Sequence, residues 1–261
     1  MSLAIKQSNS EEVTMARSQR LVLILMTCLF ACTPALFAQS PMATAASYVE
    51  MGDSFARRGE NKLALGAYTV ALDYASDFAP AYFRRGVVYQ TLGNLAAAID
   101  DYSRTLSLSP NCAEAYANRG YAYRMQNDPD SALRDWEAAL QIDPKLDTVF
   151  YNRANLRLDQ GDIRNALLDF DKALEINPRS ALAYNNRGIA KLGIGDMDGA
   201  SADFSNAIKI DANNPEAFAN LGLVRLQQGR HDEAEVQFAR SVALRPSVRD
   251  FLNRRIAEIK Q

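Results

Sequence analysis

Residues 113–146 read AEAYANRGYAYRMQNDPDSALRDWEAALQIDPKL, and this stretch decides the fold. It contains two short amphipathic helical patterns that are joined at Asn127-Asp128 and end before Pro144. The same pattern recurs every 34 residues from Ala45 to Val248, in six copies without an insertion. A repeat of this length is typical of helical hairpins that stack on one another, so the sequence predicts an all-α array.

Small and aromatic residues alternate at fixed places in every copy. In the first helical pattern a ring precedes a small residue by four positions, and in the second pattern an alanine precedes a ring by four positions. Two such pairs in each copy allow antiparallel helices to interdigitate. The small residues are Gly52, Gly86, Gly120, Ala154, Gly188 and Gly222, then Ala64, Ala98, Ala132, Ala166, Ala200 and Ala234; the rings are Tyr48, Tyr82, Tyr116, Phe150, Tyr184 and Phe218, then Tyr68, Tyr102, Trp136, Phe170, Phe204 and Phe238.

This arrangement resembles the tetratricopeptide repeat (TPR) family, whose pattern is aromatic-x2-Leu-Gly-x2-Tyr, then Ala-x3-Phe, then Pro, at a period of 34. The resemblance covers 204 of the 261 residues; Ser76 and Ala212 depart from it at the proline position. It implies a right-handed α-solenoid of six helix pairs that binds a polypeptide in its concave face. The predicted repeats are 45–78, 79–112, 113–146, 147–180, 181–214 and 215–248, followed by a capping helix over 249–261.

The composition argues against several functional classes. A formal net charge of −2 gives no basic surplus, so nucleic acid is not an expected partner. The only histidine, His231, lies in a turn beside Asp232 and Glu233, and the sequence offers no second imidazole for a metal or a general base. Cys112 is the only cysteine of the repeats and has no partner there. We therefore predict a non-enzymatic protein without a cofactor or metal.

The amino-terminal residues predict export. The run LVLILMTCLFAC at 21–32 follows basic residues, which is typical of a signal peptide over 1–38, with Met15 favoured as the initiator and 39–44 as a linker. Cleavage after Ala38 releases a soluble protein. Alternatively, a lipobox-like tetrad ending at Cys32 leaves a lipid anchor, or the run stays uncleaved. All three outcomes predict a periplasmic, secreted or membrane-anchored location.

Arginine and aspartate occur together in repeats two to five and are both absent from repeats one and six at the same places. This joint occurrence predicts structural ion pairs, within a repeat or across to the next, that fix the geometry of the helix pairs. Separate solvated charges are the alternative. The residues concerned are Arg85, Asp101, Arg119, Asp135, Arg153, Asp169, Arg187 and Asp203.

One position before these arginines the sequence carries Arg84 in repeat two and asparagine in repeats three to six. The TPR resemblance implies that this position faces the concave groove, where a side-chain amide can hold a peptide backbone by donating and accepting one hydrogen bond. Asparagine is also common there in TPR proteins without such a role. The predicted peptide-binding residues are Arg84, Asn118, Asn152, Asn186, Asn220, Phe83, Tyr121, Tyr151 and Asn155, with Val87, Ile189 and Leu223 as further groove candidates.

A further equivalent position, which we call the basic column, carries aromatic residues in repeats one to three and basic residues in repeats four to six. We interpret the basic residues either as a preference for acidic partner segments in the second half or as long side chains that lie over apolar surface. The residues of the basic column are Phe55, Tyr89, Tyr123, Arg157, Lys191 and Arg225. An exposed Trp136 or the terminal helix is a candidate dimer surface.

The sequence as a whole predicts a protein-interaction adaptor of the bacterial cell envelope. The alternatives are a lipid-anchored pilotin-like factor for a pilus or secretion subunit and an enzyme with an unrecognised groove site.

Overall fold

The computed structural model describes residues 40–259, within which the chain forms thirteen α-helices, one 3-10 helix and no strand. Of the two units Met1–Thr44 and Ala45–Gln261, the second holds the repeats. The signal peptide, Met15 and Cys32 lie outside the described residues. The helices are α1 Pro41–Arg57, α2 Asn61–Tyr74, α3 Ala79–Thr91, α4 Leu95–Leu108, α5 Ala113–Met125, α6 Pro129–Ile142, α7 Asp147–Asp159, α8 Ile163–Ile176, α9 Ala181–Gly193, α10 Met197–Ile210, α11 Pro215–Gln227, α12 His231–Leu244, the 3-10 helix Pro246–Val248, and α13 Arg249–Ile259.

The first helix begins earlier than the sequence predicted. Residues 41–44 of the expected linker are the first turn of α1, which starts at Pro41. Proline is well tolerated at the first helical position because its missing N–H has no helical partner there. The helix α1 therefore extends four residues into the expected linker.

Each repeat is a helical hairpin whose turn contains one residue in the left-handed backbone region. In repeat three this residue is Asn127, with φ of 62°, and glycine takes the place in the other five repeats. The next residue caps the second helix in several copies; the Asp128 carboxylate, for example, accepts a hydrogen bond from the backbone N–H of Ser131 at 3.1 Å. In the pairs Gly-Asn, Asn-Asp and Gly-Asp, the first residue thus ends the first helix and the second residue caps the second helix.

The two helices of a repeat pack closely because a small residue of the first faces a ring of the second. A Cβ atom built on Gly86 would lie 2.9 Å from Cε1 of Tyr102, and one built on Gly120 would lie 2.7 Å from Cδ1 of Trp136. Trp136 is fully buried, and its indole N–H donates to the carbonyl oxygen of Ala117 at 3.1 Å. The expectation of an exposed Trp136 is therefore wrong, since this ring belongs to the core in every copy.

Repeats stack because the second helix of one packs against the first helix of the next, from α2–α3 to α10–α11. Consecutive first helices also touch one another, at α3–α5, α5–α7, α7–α9 and α9–α11, whereas consecutive second helices approach less closely in the described part. The first helices therefore form the shorter, inner row of the array. We call the exposed face of α3, α5, α7, α9 and α11 the inner surface.

The carboxyl-terminal helix closes the last repeat. Leu252 of α13 is buried in a cluster with Leu223, Leu226 and Phe238, and Ile256 packs against the same cluster. α13 thus covers this apolar cluster at the end of repeat six. A cavity of about 660 Å³ remains between α12 and α13. None of the helices within residues 40–259 is both long and apolar enough to span a bilayer.

Candidate functional site

Four arginines of the first helices each hold an aspartate of the second helix in the same repeat by two hydrogen bonds. Arg119 Nε and Nη2 donate to Asp135 at 2.7 and 2.8 Å, and the partner lies 16 residues ahead. The aspartate side chains are only 3–9 % exposed, while the arginines keep 15–18 % of their side chains accessible. The pairing thus runs within a repeat, through Arg85–Asp101, Arg119–Asp135, Arg153–Asp169 and Arg187–Asp203.

Most of these arginines also reach back to the preceding repeat. Arg119 Nη1 donates to Ser103 Oγ at 2.9 Å, and Arg187 Nη1 donates to Asp171 at 2.7 Å, each 16 residues earlier. The guanidinium of Arg119 further lies 5.6 Å from the centroid of the Tyr116 ring. Each such arginine therefore joins three helices: its own, the second helix of its repeat and the second helix before it.

Hydrogen bonding to the aspartates stabilises the charged form of Arg85, Arg119 and Arg187. The bond to Asp101 raises the pKa of the Arg85 guanidinium, and the bond to Asp203 does the same for the pKa of Arg187. Planar two-point pairing of this kind specifies an orientation as well as an attraction. These side chains are committed to the scaffold.

Two of the three basic residues in the basic column, Arg157 and Lys191, also pair with the buried aspartates, whereas Arg225 lies 3.5 Å from the exposed Glu233. Arg157 Nη1 lies 2.6 Å from Asp169, and Lys191 Nζ lies 2.9 Å from Asp203. Both interpretations of Arg157 and Lys191 from the sequence are therefore wrong, because these cations serve as second partners of the buried aspartates. Repeats two and three have Tyr89 and Tyr123 at this place.

Asparagines of repeats five and six bind one another and repeat four. Asn186 Nδ2 donates to Tyr151 Oη at 3.1 Å and to Asn155 Oδ1 at 2.7 Å. Asn185 Nδ2 donates to Asn186 Oδ1 at 3.0 Å, and Asn220 Nδ2 donates to Asn185 Oδ1 at 3.0 Å. We call these five side chains the amide network. It uses both N–H groups of Asn186, so that this amide has no donor left for a peptide.

Asn118 and Asn152 differ from Asn186 and Asn220 although they occupy equivalent positions. Their side chains make no hydrogen bond within residues 40–259, and both are half-buried. The reason lies in the preceding repeat. Asn186 meets Tyr151 and Asn155, which stand 35 and 31 residues earlier. The residues at these offsets are Phe83 and Val87 for Asn118, and Ala117 and Tyr121 for Asn152, which give few or no acceptors.

Arg84 has the equivalent position in repeat two, and it also contacts a residue that stands 31 positions earlier. Its Nε lies 3.6 Å from Asp53, which stands 31 residues earlier and also accepts a hydrogen bond from the Tyr68 hydroxyl at 2.7 Å. The Arg84 side chain nevertheless remains 52 % exposed. Arg84 is therefore an accessible cation, weakly held, at the amino-terminal end of the inner surface.

The predicted rings lie on the inner surface and are half-buried. Phe83 lies on α3, with its centroid 6.0 Å from that of Tyr102, and Tyr151 lies on α7, 6.2 Å from Phe170. The Tyr121 hydroxyl of α5 has no hydrogen-bond partner in the described part of the chain. Ile189 is exposed, whereas Leu223 is buried beneath α13 and cannot serve as a groove residue.

The residues that could support catalysis do not converge. No group of three or more His, Cys, Asp or Glu side chains that could hold a metal occurs within residues 40–259. His231 is exposed at the start of α12. Burial raises the pKa of the Cys112 thiol, which lowers the fraction of reactive thiolate.

Family models match most of the repeat region. A tetratricopeptide repeat model matches residues 79–112, 113–146 and 148–180, a TPR repeat model matches 193–229, and a further tetratricopeptide repeat model matches 215–248. No curated protein matches the sequence significantly.

Solved structures share the fold at low sequence identity. PilF of Pseudomonas aeruginosa is 18 % identical with a TM-score of 0.72, over 80 % of this chain and 95 % of that one. PilW, described as a widely conserved type IV pilus biogenesis factor, is 19 % identical with a TM-score of 0.68, over 76 % and 92 %. YrrB, described as a TPR protein with an unusual peptide-binding site, is 22 % identical with a TM-score of 0.59, over 69 % and 93 %.

Proposed function

Because the chain belongs to the tetratricopeptide repeat family, we propose that it is a non-enzymatic protein-interaction scaffold whose inner surface binds an extended peptide segment of a partner protein. The TPR repeats and the fold shared with YrrB, a TPR protein with a peptide-binding site, support the interaction role. The specific site rests on the geometry of the first helices.

One observation carries this proposal: Asn118 and Asn152 present amides that no group within residues 40–259 uses, on successive first helices of the inner surface. An amide without a partner can donate and accept one hydrogen bond each with a peptide unit. The equivalent Asn186 and Asn220 are already engaged. The peptide-holding part of the surface is therefore repeats two to four.

Hydrogen bonds alone do not supply the affinity. Two amides at about 1 kcal/mol each fall well short of the roughly 8 kcal/mol of micromolar binding. The half-buried rings of Phe83, Tyr121 and Tyr151 lie on the same helices and offer apolar area to a guest. Peptide side chains packed on these rings would provide the larger share, at about 25 cal/mol per Å² of apolar surface buried.

A display library of random twelve-residue peptides, selected on the immobilised full chain, tests the proposal. We expect the enriched peptides to bind about twenty- to thirty-fold more weakly to the Asn118→Ala/Asn152→Ala variant, the equivalent of about 1 kcal/mol for each amide. The matched control is Asn111→Ala/Asn213→Ala, two exposed asparagines outside the first helices. A library that yields no binder, or binders equally strong on all three proteins, would reject the inner surface as a peptide site.

A bacterial cell-envelope location is part of the same proposal. Its support is the apolar run at 21–32 with its basic flank, which is typical of an export signal. In this setting the scaffold would act as an adaptor in an envelope assembly.

A pilotin-like factor anchored through Cys32 is the second candidate. It is supported by the fold shared with PilF and PilW over most of those chains, together with the lipobox-like residues 29–32. Mass spectrometry of the mature amino terminus separates the two, because release gives a chain that begins at Gln39 and anchoring gives a diacylated Cys32.

A further inference from the structure

The last repeat differs from the others on the outer face of its second helix. Three exposed places of α12 carry Val236, Ala239 and Ala243, and Val236 is 65 % exposed. Their spacing of three and four residues puts them on one side of the helix, and we call them the apolar stripe. In each of the other five repeats, at least two of the equivalent places hold a polar or charged residue, as in Asp100, Ser103 and Ser107 of repeat two and Arg134, Glu137 and Gln141 of repeat three. Repeat six is thus the only one in which this outer face is apolar throughout.

An open cleft lies beside the apolar stripe. α13 packs against α11, and it contacts α12 less than the earlier first helices contact the second helix before them. The cavity of about 660 Å³ between α12 and α13 results, and we call it the terminal cleft. Its lining includes Phe238 and Val242 of α12 and Leu252 and Ile256 of α13, and Ala239 joins it to the apolar stripe. An apolar ridge and an apolar cleft therefore lie side by side at the carboxyl-terminal end of the array.

A ridge beside a cleft of the same character is suited to a second copy of this chain. Two copies related by a two-fold axis can each place the apolar stripe of α12 in the terminal cleft of the other, which gives a bundle of four helices. The two alanines of the stripe add little bulk and let the helices approach closely. One patch thus supplies both halves of the interface, as a two-fold symmetric contact requires.

Two charges of the terminal cleft favour a second copy over an unrelated partner. Glu235 of α12 and Arg249 of α13 line the cleft from opposite helices, both are exposed, and neither forms an ion pair within residues 40–259. In a two-fold symmetric contact, residue i of one copy meets residue j of the other, and the reverse. The Arg249 of each copy can therefore face the Glu235 of the other, which matches both charges without any further group. An unrelated partner would have to bring a cation and an anion to these two places.

We propose that the protein forms a two-fold symmetric dimer through α12 and α13, with the apolar stripe of each copy in the terminal cleft of the other and reciprocal Arg249–Glu235 pairs at the edges. This dimer uses the terminal helix, which the sequence already offers as a candidate surface. The two helices have 14 and 11 residues and are about 21 and 16 Å long. With a diameter of about 10 Å they offer roughly 400 Å² per copy, half of the about 800 Å² of a standard interface. The dimer is therefore weak and reversible, and we expect a dissociation constant of about 10–100 µM.

Sedimentation equilibrium of the full chain from about 5 to 300 µM tests the proposal, because this range brackets the expected dissociation constant. Ala239→Glu places a charge in the apolar stripe and should weaken the association at least ten-fold. The fold should accept this change, since repeat three carries Glu137 at the equivalent place. Ala202→Glu is the matched control: it makes the same substitution at an exposed place of α10 and should leave the dissociation constant unchanged.

Charge reversal tests whether the occupant of the cleft is a second copy. Arg249→Glu and Glu235→Arg should each weaken the association about ten-fold, because each sets like charges against one another across the interface. The double variant Arg249→Glu/Glu235→Arg should restore it, since both charges are then reversed in both copies. A partner other than this chain would not show such a rescue.

The proposal is overturned by a chain that stays monomeric up to about 300 µM, or by a dimer that Ala239→Glu weakens no more than Ala202→Glu does. A double charge variant that associates as weakly as the single variants overturns the reciprocal pairing, and with it the choice of a second copy for the terminal cleft. Circular dichroism of each variant shows that the fold is kept. None of these results bears on peptide binding by the inner surface, which the library selection tests separately.

Discussion

Asp169→Ala should destabilise the protein more than most single substitutions, because one carboxylate serves two cations. Asp169 accepts from Arg153 at 2.7–2.8 Å and from Arg157 at 2.6 Å, and its side chain is 5 % exposed. Removal of one member of a buried pair costs about 3–5 kcal/mol. Since the two arginines keep 15 and 25 % of their side chains accessible, water relieves part of this loss, and we expect about 3 kcal/mol.

Asp171→Ala is the matched control. It makes the same substitution two residues further along α8, at a side chain that is 59 % exposed and pairs with Arg187. The change in helix propensity is the same, and an exposed pair contributes about 0–1 kcal/mol. The difference between the variants therefore measures the buried pairing.

Urea and thermal unfolding followed by circular dichroism measure this difference, at about 2–4 °C of midpoint per kcal/mol for a chain of this size. Fluorescence of the buried Trp136 adds a local reading, since repeat arrays need not unfold in one step. Replacing all three partners, as Arg153→Met/Arg157→Met/Asp169→Leu, should recover most of the loss because no charge is left unpaired. Equal stability of Asp169→Ala and Asp171→Ala within 0.5 kcal/mol would refute the reasoning.

Three further predictions concern packing, pH and the amide network. Gly120→Ala should cost about 2 kcal/mol, measured by thermal melting, because the new methyl group would press on the ring of Trp136; an unchanged melting temperature would contradict this. Burial raises the pKa of both Tyr68 and Tyr102 above the ordinary value of 10.0, so the folded state binds these protons more tightly than the unfolded one. Stability from this source is complete below pH 10 and falls above it, and urea titrations from pH 8 to 11 should show a smaller fall for Tyr102→Phe than for the wild type. Asn186→Ala should lower stability by about 1–2 kcal/mol, since it leaves Tyr151, Asn155 and Asn185 without their partner, whereas Asn152→Ala should change it by less than about 0.5 kcal/mol; equal effects in urea unfolding would count against the network.

The fold could be predicted from the sequence because every copy satisfies the same local demands. The small residue at Gly86 and its equivalents, the facing ring, and the left-handed turn residue each have a single physical role that six copies repeat. The early start of α1, at Pro41, lies where no second copy exists for comparison.

The inner surface could be predicted only in part, because comparison of equivalent positions does not show which side chains contact one another between successive repeats. Residues 34 apart have the same place in successive repeats, but the side chains that touch are 31 and 35 apart. Asn152 and Asn186 therefore look alike in the sequence and differ in the structure. The role of Arg157 was missed for a related reason, since its partner Asp169 was already assigned to Arg153.

The four arginine–aspartate pairs occupy the interior of the array, while the first and last repeats have none. A terminal repeat also has a neighbouring repeat on one side only. The protein should therefore fray inward from both extremities and keep a durable middle of repeats two to five. The proposed guest-holding residues of repeats two to four lie in that middle, so a partner could be retained while the ends open and close.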